Sequence, residues 1–102
     1  MIVELKTYTT YVGKTAEFVR LYEEKGLPIQ QPVQGDLLGM YQTEFGPVNQ
    51  VILLWRYADE ADRRARRTAL MEVPEWRAFL GEAAPLVQSE DNRLLVPTPA
   101  SP

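Results

Sequence analysis

The stretch GDLLGMYQTEFGPVNQVILLWRY, Gly35 to Tyr57, decides the fold. Within it, Val51-Ile52-Leu53-Leu54-Trp55 is an unbroken apolar run rich in β-branched and aromatic residues. Alternate residues of a strand point to opposite faces, so such a run implies a strand covered on both sides. Gly46-Pro47 and Asn49 supply turn chemistry just upstream, and Asp36 to Phe45 mixes polar and apolar residues. The segment reads as a β-hairpin connected near Gly46-Pro47-Val48. A turn centred near Pro47 sets Thr43 opposite Val51, Tyr41 opposite Leu53 and Gly39 opposite Trp55. One face then carries Leu37, Tyr41, Thr43, Leu53, Trp55 and Tyr57. The other carries Leu38, Met40, Gln42, Glu44, Gln50, Ile52, Leu54 and Arg56. A slip of one residue would exchange every one of these pairs.

Upstream of the hairpin, Ile2 to Thr9 reads as a strand, with Val3, Leu5 and Thr7 on one face and Ile2, Glu4, Lys6 and Tyr8 on the other. Val12-Gly13-Lys14 is a turn. Thr15 is the expected N-cap of a helix over Ala16 to Lys25, whose stripe is Phe18, Leu21 and Tyr22 with Val19 beside it. Gly26 is the expected stop, with Pro28 two residues on. Leu27 to Gln34, LPIQQPVQ, carries two prolines and reads as a non-helical connection that could also present Gln30 and Gln31 at a pocket rim.

Downstream, Asp59 is the expected N-cap of a second helix, with Asp62 completing a capping box. Asp59–Arg63, Glu60–Arg64 and Asp62–Arg66 are spaced as i,i+4 ion pairs, which makes the arginine cluster a solvated face; an anion clamp is the alternative. Val73-Pro74-Glu75-Trp76 opens a third helix with a buried stripe of Trp76, Phe79, Leu80 and Ala83, ended by Pro85. Asn92 to Val96 is a short last strand. The domain is expected to span residues 1–97, with a proline-rich tail at 98–102.

The element order β-α-β-β-α-(α)-β is the split βαβ, or ferredoxin-like, pattern of an α+β protein with a four-stranded antiparallel sheet. Its helices cover one sheet face. The apolar second face then calls for another copy of the chain, a homodimer packed through the open sheet face as a dimeric α+β barrel. A chain of 102 residues buries only about 65 per cent of its unfolded surface, so burial by a partner matters.

Composition removes several chemistries. The chain has no cysteine and no histidine, which excludes disulfides, thiolate nucleophiles, imidazole bases and Cys- or His-ligated metals. Proton transfer would fall to Asp, Glu, Lys or Tyr. No cofactor motif is visible. A net charge of −3 argues against nucleic-acid or anionic-membrane partners, and no run of apolar residues has transmembrane length. A soluble, cytoplasmic protein is expected.

The residues also resemble a known family. Glu4-Leu5-Lys6-Thr7-Tyr8, Gly13-Lys14, Gly26-Leu27-Pro28, Gly35, Leu38-Gly39 and Thr43-Glu44-Phe45-Gly46 match NIPSNAP proteins in order. So do Asn49-Gln50-Val51, Leu54-Trp55-Arg56-Tyr57, Ala61-Asp62-Arg63-Arg64 and Trp76-Arg77-Ala78-Phe79-Leu80. The resemblance implies a dimeric α+β barrel of the ferredoxin-like superfamily and no assigned catalytic residue. Animal members are mitochondrial, whereas a first strand starting next to Met1 is similar to compact bacterial members. The family often carries histidine just before its Leu-Trp, where this chain has Leu53.

Two functional readings follow. In one, the barrel interior, lined partly by Tyr41, Thr43, Trp55 and Tyr57, binds a small apolar or aromatic molecule, with Asn49 and Gln50 as further contacts; a pure interaction scaffold is its variant. In the other, the chain is a cofactor-independent enzyme of oxygenase, isomerase or decarboxylase type. Glu44 would then be the candidate base and Tyr41 and Tyr8 the hydroxyl donors. Glu44 and Tyr41 point to opposite faces of the expected hairpin, which separates them.

Overall fold

The computed structural model describes residues 1–101; Pro102, the last residue of the expected tail, lies outside them. β1 (Ile2–Thr10) leads to α1 (Thr15–Leu21), which winds through a π-helical segment (Tyr22–Gly26) into α2 (Leu27–Gln34). β2 (Asp36–Gln42) and β3 (Gln50–Tyr57) follow. The chain ends in α3 (Glu60–Met71), α4 (Pro74–Ala83), a 3-10 turn (Ala84–Leu86) and β4 (Val87–Leu95). The four strands are antiparallel in the order β2-β3-β1-β4, the ferredoxin-like arrangement with β1 and β3 central. No helix among the described residues is long and apolar enough to cross a membrane.

The helices pack on one face only. Val51, Leu53, Trp55 and Tyr57 of β3 are buried beneath Phe18, Tyr22, Leu70, Trp76 and Phe79. The intervening Ile52 and Leu54 lie half-buried on the open face, where they pair with Thr7 and Leu5 of β1. The both-faced apolar strand is therefore present, with its two sides covered unequally.

The hairpin register is one residue away from the expected one. Tyr41 pairs with Ile52, Met40 with Leu53 and Gln42 with Val51. Tyr41 thus shares the open face with Ile52, and Met40 joins the helix-covered face with Leu53 and Trp55. Two features cause the shift. The connection is a loop over 43–49 rather than a tight turn, with left-handed backbone at Gly46 (φ 108°) and Asn49 (φ 62°). A bulge between Leu37 and Gly39 then inserts an extra residue in β2, so Leu37 pairs with Trp55 and keeps to the helix-covered face, as expected, while Gly39 pairs with Leu54.

The proline-containing segment is helical. Leu27 N–H reaches back to the Tyr22 carbonyl, and this wide turn accommodates Pro28 directly after it, in the first turn of α2. Pro32 sits inside α2. Gly26 is consequently not a stop: its backbone is helical (φ −70°), and the helix ends at Gly35 (φ 107°), whose N–H meets the Gln31 carbonyl at 3.2 Å.

The π segment also sets which side chains face the sheet. The buried residues Phe18, Tyr22, Gly26, Gln30 and Gln34 recur every four residues. In a uniform α-helix that spacing drifts by about 40° per step. The wider winding takes up the drift and keeps all five inward.

Smaller differences have local causes. Thr15 opens α1 rather than capping it, and its hydroxyl lies 2.7 Å from that of Thr10. Asp59 caps α3 as expected, accepting from Asp62 N–H at 2.8 Å, while Asp62 accepts from Ala58 N–H. β4 is longer than Asn92 to Val96; Glu90, Asp91 and Arg93 mask it in the sequence, and an edge strand tolerates such charges. Leu80 leaves the expected stripe and stands 37% exposed, while Trp76, Phe79 and Ala83 are buried.

A Cβ at Gly26 would lie 2.6 Å from Cζ of the buried Phe79. Gly26→Ala gains about 1 kcal/mol of helix propensity but forces overpacking that costs about 1–3 kcal/mol. The expected outcome is a lower urea midpoint at unchanged slope. A midpoint equal to or above the parent's would show that the contact between the π-helical segment and α4 is not tight.

Candidate functional site

Between the sheet and its helices lies a cleft of about 220 Å³. Lys6 and Tyr8 of β1 and Glu90 of β4 form its floor, and Gln30, Gln34, Arg67, Leu70, Trp76 and Leu80 contribute its walls and roof. A second hollow of about 340 Å³ adjoins it, sharing Tyr8, Leu80 and Glu90 and bringing Phe18, Tyr22 and Phe79. The aromatic rings pack in a continuous chain. Phe18–Tyr22 centroids are 5.6 Å apart, Tyr22–Phe79 5.2 Å and Trp76–Phe79 5.1 Å.

The polar groups follow from the phase of β1. Ile2, Glu4, Lys6 and Tyr8 pair with Tyr57, Trp55, Leu53 and Val51, so this charged side of the strand faces the helices. Glu4 is fully buried. Its carboxylate accepts from Arg63 Nη2 at 2.7 Å and from the Tyr57 hydroxyl at 3.2 Å, with Arg67 Nη1 at 3.9 Å. Arg63 therefore turns away from its expected i,i+4 partner, whereas Glu60–Arg64 (3.6 Å) and Asp62–Arg66 (2.9 Å) form as expected. The anion clamp considered for the arginines exists in part, and its anion is a side chain of the same molecule.

Behind the cleft wall, hydrogen bonds all run toward Glu4. The Tyr22 hydroxyl donates to Gln30 Oε1 (2.5 Å), Gln30 Nε2 to Gln34 Oε1 (2.8 Å), and Gln34 Nε2 to the Tyr57 hydroxyl (2.7 Å), which donates to Glu4. The four-residue repeat of the π-interrupted helix is what places Tyr22, Gln30 and Gln34 on this line.

Burial alone would push the Glu4 carboxyl up. The Arg63 hydrogen bond and the charges of Lys6, Arg63 and Arg67 outweigh it and hold Glu4 below its usual value of 4.5. Burial raises the Tyr8, Tyr22 and Tyr57 hydroxyls above theirs, with the Glu4 charge adding to the effect on Tyr8 and Tyr57. The carboxylate stays charged and the phenols stay protonated. The array holds and orients hydrogen-bond acceptors, and none of these groups is tuned toward neutral pH as a general base requires.

Of the residues singled out in the sequence, Tyr8 lines the cleft and Tyr57 stands behind its wall. Trp55 is fully buried in the core, its indole N–H without a protein partner. Tyr41 is 57% exposed on the opposite face. Thr43, Asn49 and Gln50 bracket the hairpin loop: Asn49 accepts from Thr10 N–H and Thr15 Oγ1, and Gln50 Nε2 donates to Thr9 Oγ1. Glu44 is exposed in that loop, far along the chain fold from Tyr8's cleft. The structure thus brings Tyr8 and Tyr57 together with Lys6, Gln30, Gln34, Arg67 and Glu90, and leaves Glu44 and Tyr41 apart from them.

A ferredoxin-like α+β sheet protein with a cleft between its two layers is the class these features define. The NIPSNAP sequence profile matches residues 3–102, and the chain belongs to that family. A crystal structure of a NIPSNAP family protein from Agrobacterium tumefaciens superposes with a TM-score of 0.96 at 42% identity, covering 99% of this chain and 96% of that one. A NipSnap homologue from Dictyostelium discoideum is 28% identical over 98 residues, 92% of this chain but 41% of its own length. At the level of fold alone, a Nitrosomonas europaea protein assigned to the antibiotic biosynthesis monooxygenases aligns with a TM-score of 0.69 at 13% identity.

Glu4→Gln tests the buried anion. The variant leaves Arg63 facing a neutral amide in the interior and should lose roughly 3 kcal/mol of stability at pH 7. Because folding lowers the Glu4 pKa, its contribution is present above about 4.5 and is lost as pH falls through the folded value. The gap between parent and variant should therefore close in acid. A gap independent of pH from 7 down to 3 would refute the charge-based account.

Proposed function

We propose that this chain works as a homodimer whose interlayer cleft binds a small, largely apolar or aromatic molecule. The observation that carries the reading is the cleft itself: an aromatic and aliphatic body of Trp76, Leu70, Leu80 and the Phe18–Tyr22–Phe79 rings, with a few convergent polar groups at one end. That combination is how small-molecule sites are built, apolar contact supplying affinity and polar groups fixing orientation. The expectation from sequence set such a site on the hairpin. The geometry supports the same ligand class on the other side of the sheet's central strands.

The homodimer is supported by the open sheet face. Its centre is Val3, Leu5, Ile52 and Leu54, with Leu38 and Tyr41 beside them, and its charges pair with each other toward the two edges, Arg56 with Asp36 on one side and Arg93 with Asp91 on β4 at the other. The hairpin loop adds Phe45 and Val48, 93% and 73% exposed. An apolar patch of this continuity marks an interaction surface. A second copy presents a matching patch by symmetry. A binding role is favoured over catalysis because Glu44 and Tyr41 lie outside the cleft and Glu4 is held as a charged structural partner.

Size-exclusion chromatography with light scattering should give twice 11.7 kDa at micromolar concentration, and Leu54→Lys should halve it. A folded parent of 11.7 kDa would sink the dimer. For the cleft, a thermal-shift screen of aromatic and polyketide-like compounds should yield binders that quench tryptophan emission. Leu80→Trp, which fills the shared wall, should abolish binding while leaving the fold intact. Binders untouched by Leu80→Trp would place the site elsewhere.

A further inference from the structure

We infer that the ligand of this cleft carries one negative charge, a carboxylate or enolate on an aromatic body, held by Lys6 and Arg67. The inference rests on the cleft reading above and adds its chemical class. Three cations, Lys6, Arg63 and Arg67, gather at the polar end against two carboxylates, Glu4 and Glu90, so one positive charge is left over. The distances say which cation it is. Arg63 is committed to Glu4 at 2.7 Å, and Lys6 to Glu90 at 3.2 Å. Arg67 stands 3.9 Å from Glu4, beyond hydrogen-bond reach, and its side chain lines the cleft.

The donor balance agrees. Lys6 keeps donors beyond the one given to Glu90, and the Gln30 and Gln34 amides accept from within the chain and each hold a second N–H. The tyrosine hydroxyls are held protonated by burial. The one carboxylate on the cleft floor among the described residues, Glu90, is already paired with Lys6. Lys6 is itself 7% exposed, so its charge acts in a partly desolvated setting where an ion contact counts for more than at the surface. Arg67's planar fork suits a carboxylate edge, and Trp76, Leu70 and Leu80 meet the attached ring. Arg67 is also within reach of solvent, its side chain 42% exposed, so an incoming anion can meet it before entering.

The test compares matched pairs, phenylacetate against phenylacetamide and naphthoate against naphthamide, by tryptophan emission and calorimetry at pH 7. The acids should bind at least tenfold more tightly than their amides. Arg67→Gln should remove that preference, weakening the acids at least tenfold more than the amides, and Arg67→Lys should restore part of it. Arg64→Gln, the same change of net charge on the exposed side of α3, should leave it intact. Equal affinity for acid and amide, or equal losses in the Arg64 and Arg67 variants, would overturn the anion inference and leave the cleft standing. If no acid or amide binds and Leu80→Trp changes nothing, the cleft reading fails and takes the inference with it.

Discussion

A carboxylate inside the protein sets the terms for everything around it. Burying Glu4 between the layers is costly unless the charge is paired and fully hydrogen-bonded. The chain meets that condition with groups from three separate elements: Arg63 from α3, Tyr57 from β3, and, through Tyr57, Gln34 from α2. The bonds reach on to Gln30 and Tyr22, so the π-helical segment is tied in as well. One side chain of the central strand thereby fixes how both α2 and α3 sit on the sheet. Each link is worth only about 1 kcal/mol net, but losing one end would strand the rest.

The same choice of strand phase explains the open face. β1 alternates charged and apolar residues, and a lone domain would be expected to turn the apolar set inward. Here Glu4, Lys6, Tyr8 and Thr10 face the helices and Val3 and Leu5 face away. β3 can support this because it is apolar on both sides. The polar cleft and the apolar outer surface are therefore two consequences of one phase, and a mutation that reversed it would abolish both. The proposed second copy covers what this inversion leaves outside.

Much of the fold was legible from residues. The apolar run at Val51 to Trp55 marked the central strand, Asp59 and Pro74 marked helix starts, and element order led to the ferredoxin-like sheet. What was not legible depended on facts with no local signature. The hairpin register turned on a longer loop, which moves Tyr41 to the other face, and on a bulge at Leu37–Gly39, which returns Leu37 to the face of Trp55. α2 was hidden because two prolines outweigh every other helix signal unless a π-helical turn precedes them. The site was hidden for a related reason. Gln30 and Gln31 read as rim residues of a loop, Gln34 carried no role, and Glu4 and Lys6 read only as members of one strand face. One signal was present: Phe18, Tyr22, Gly26, Gln30 and Gln34 share a spacing of four, which puts glutamines in phase with core aromatics.

The remaining question is how a cleft can present positive charge next to a buried carboxylate without the two simply neutralising each other. Distance resolves it. At 2.7 Å Arg63 satisfies Glu4 with a charged hydrogen bond, and the Tyr57 hydroxyl takes its second oxygen. Arg67, at 3.9 Å, adds field but no bond. Removing Arg67's attraction would leave Glu4 still paired, so the proposed ligand can engage Arg67 without unmaking the structure beneath it. The lowered Glu4 pKa fits that arrangement: the Arg63 hydrogen bond does most to offset burial, and Lys6, Arg63 and Arg67 add their charge. The proposed reading thus divides structure and recognition between two arginines one helical turn apart, Arg63 holding the fold and Arg67 left to meet an anion.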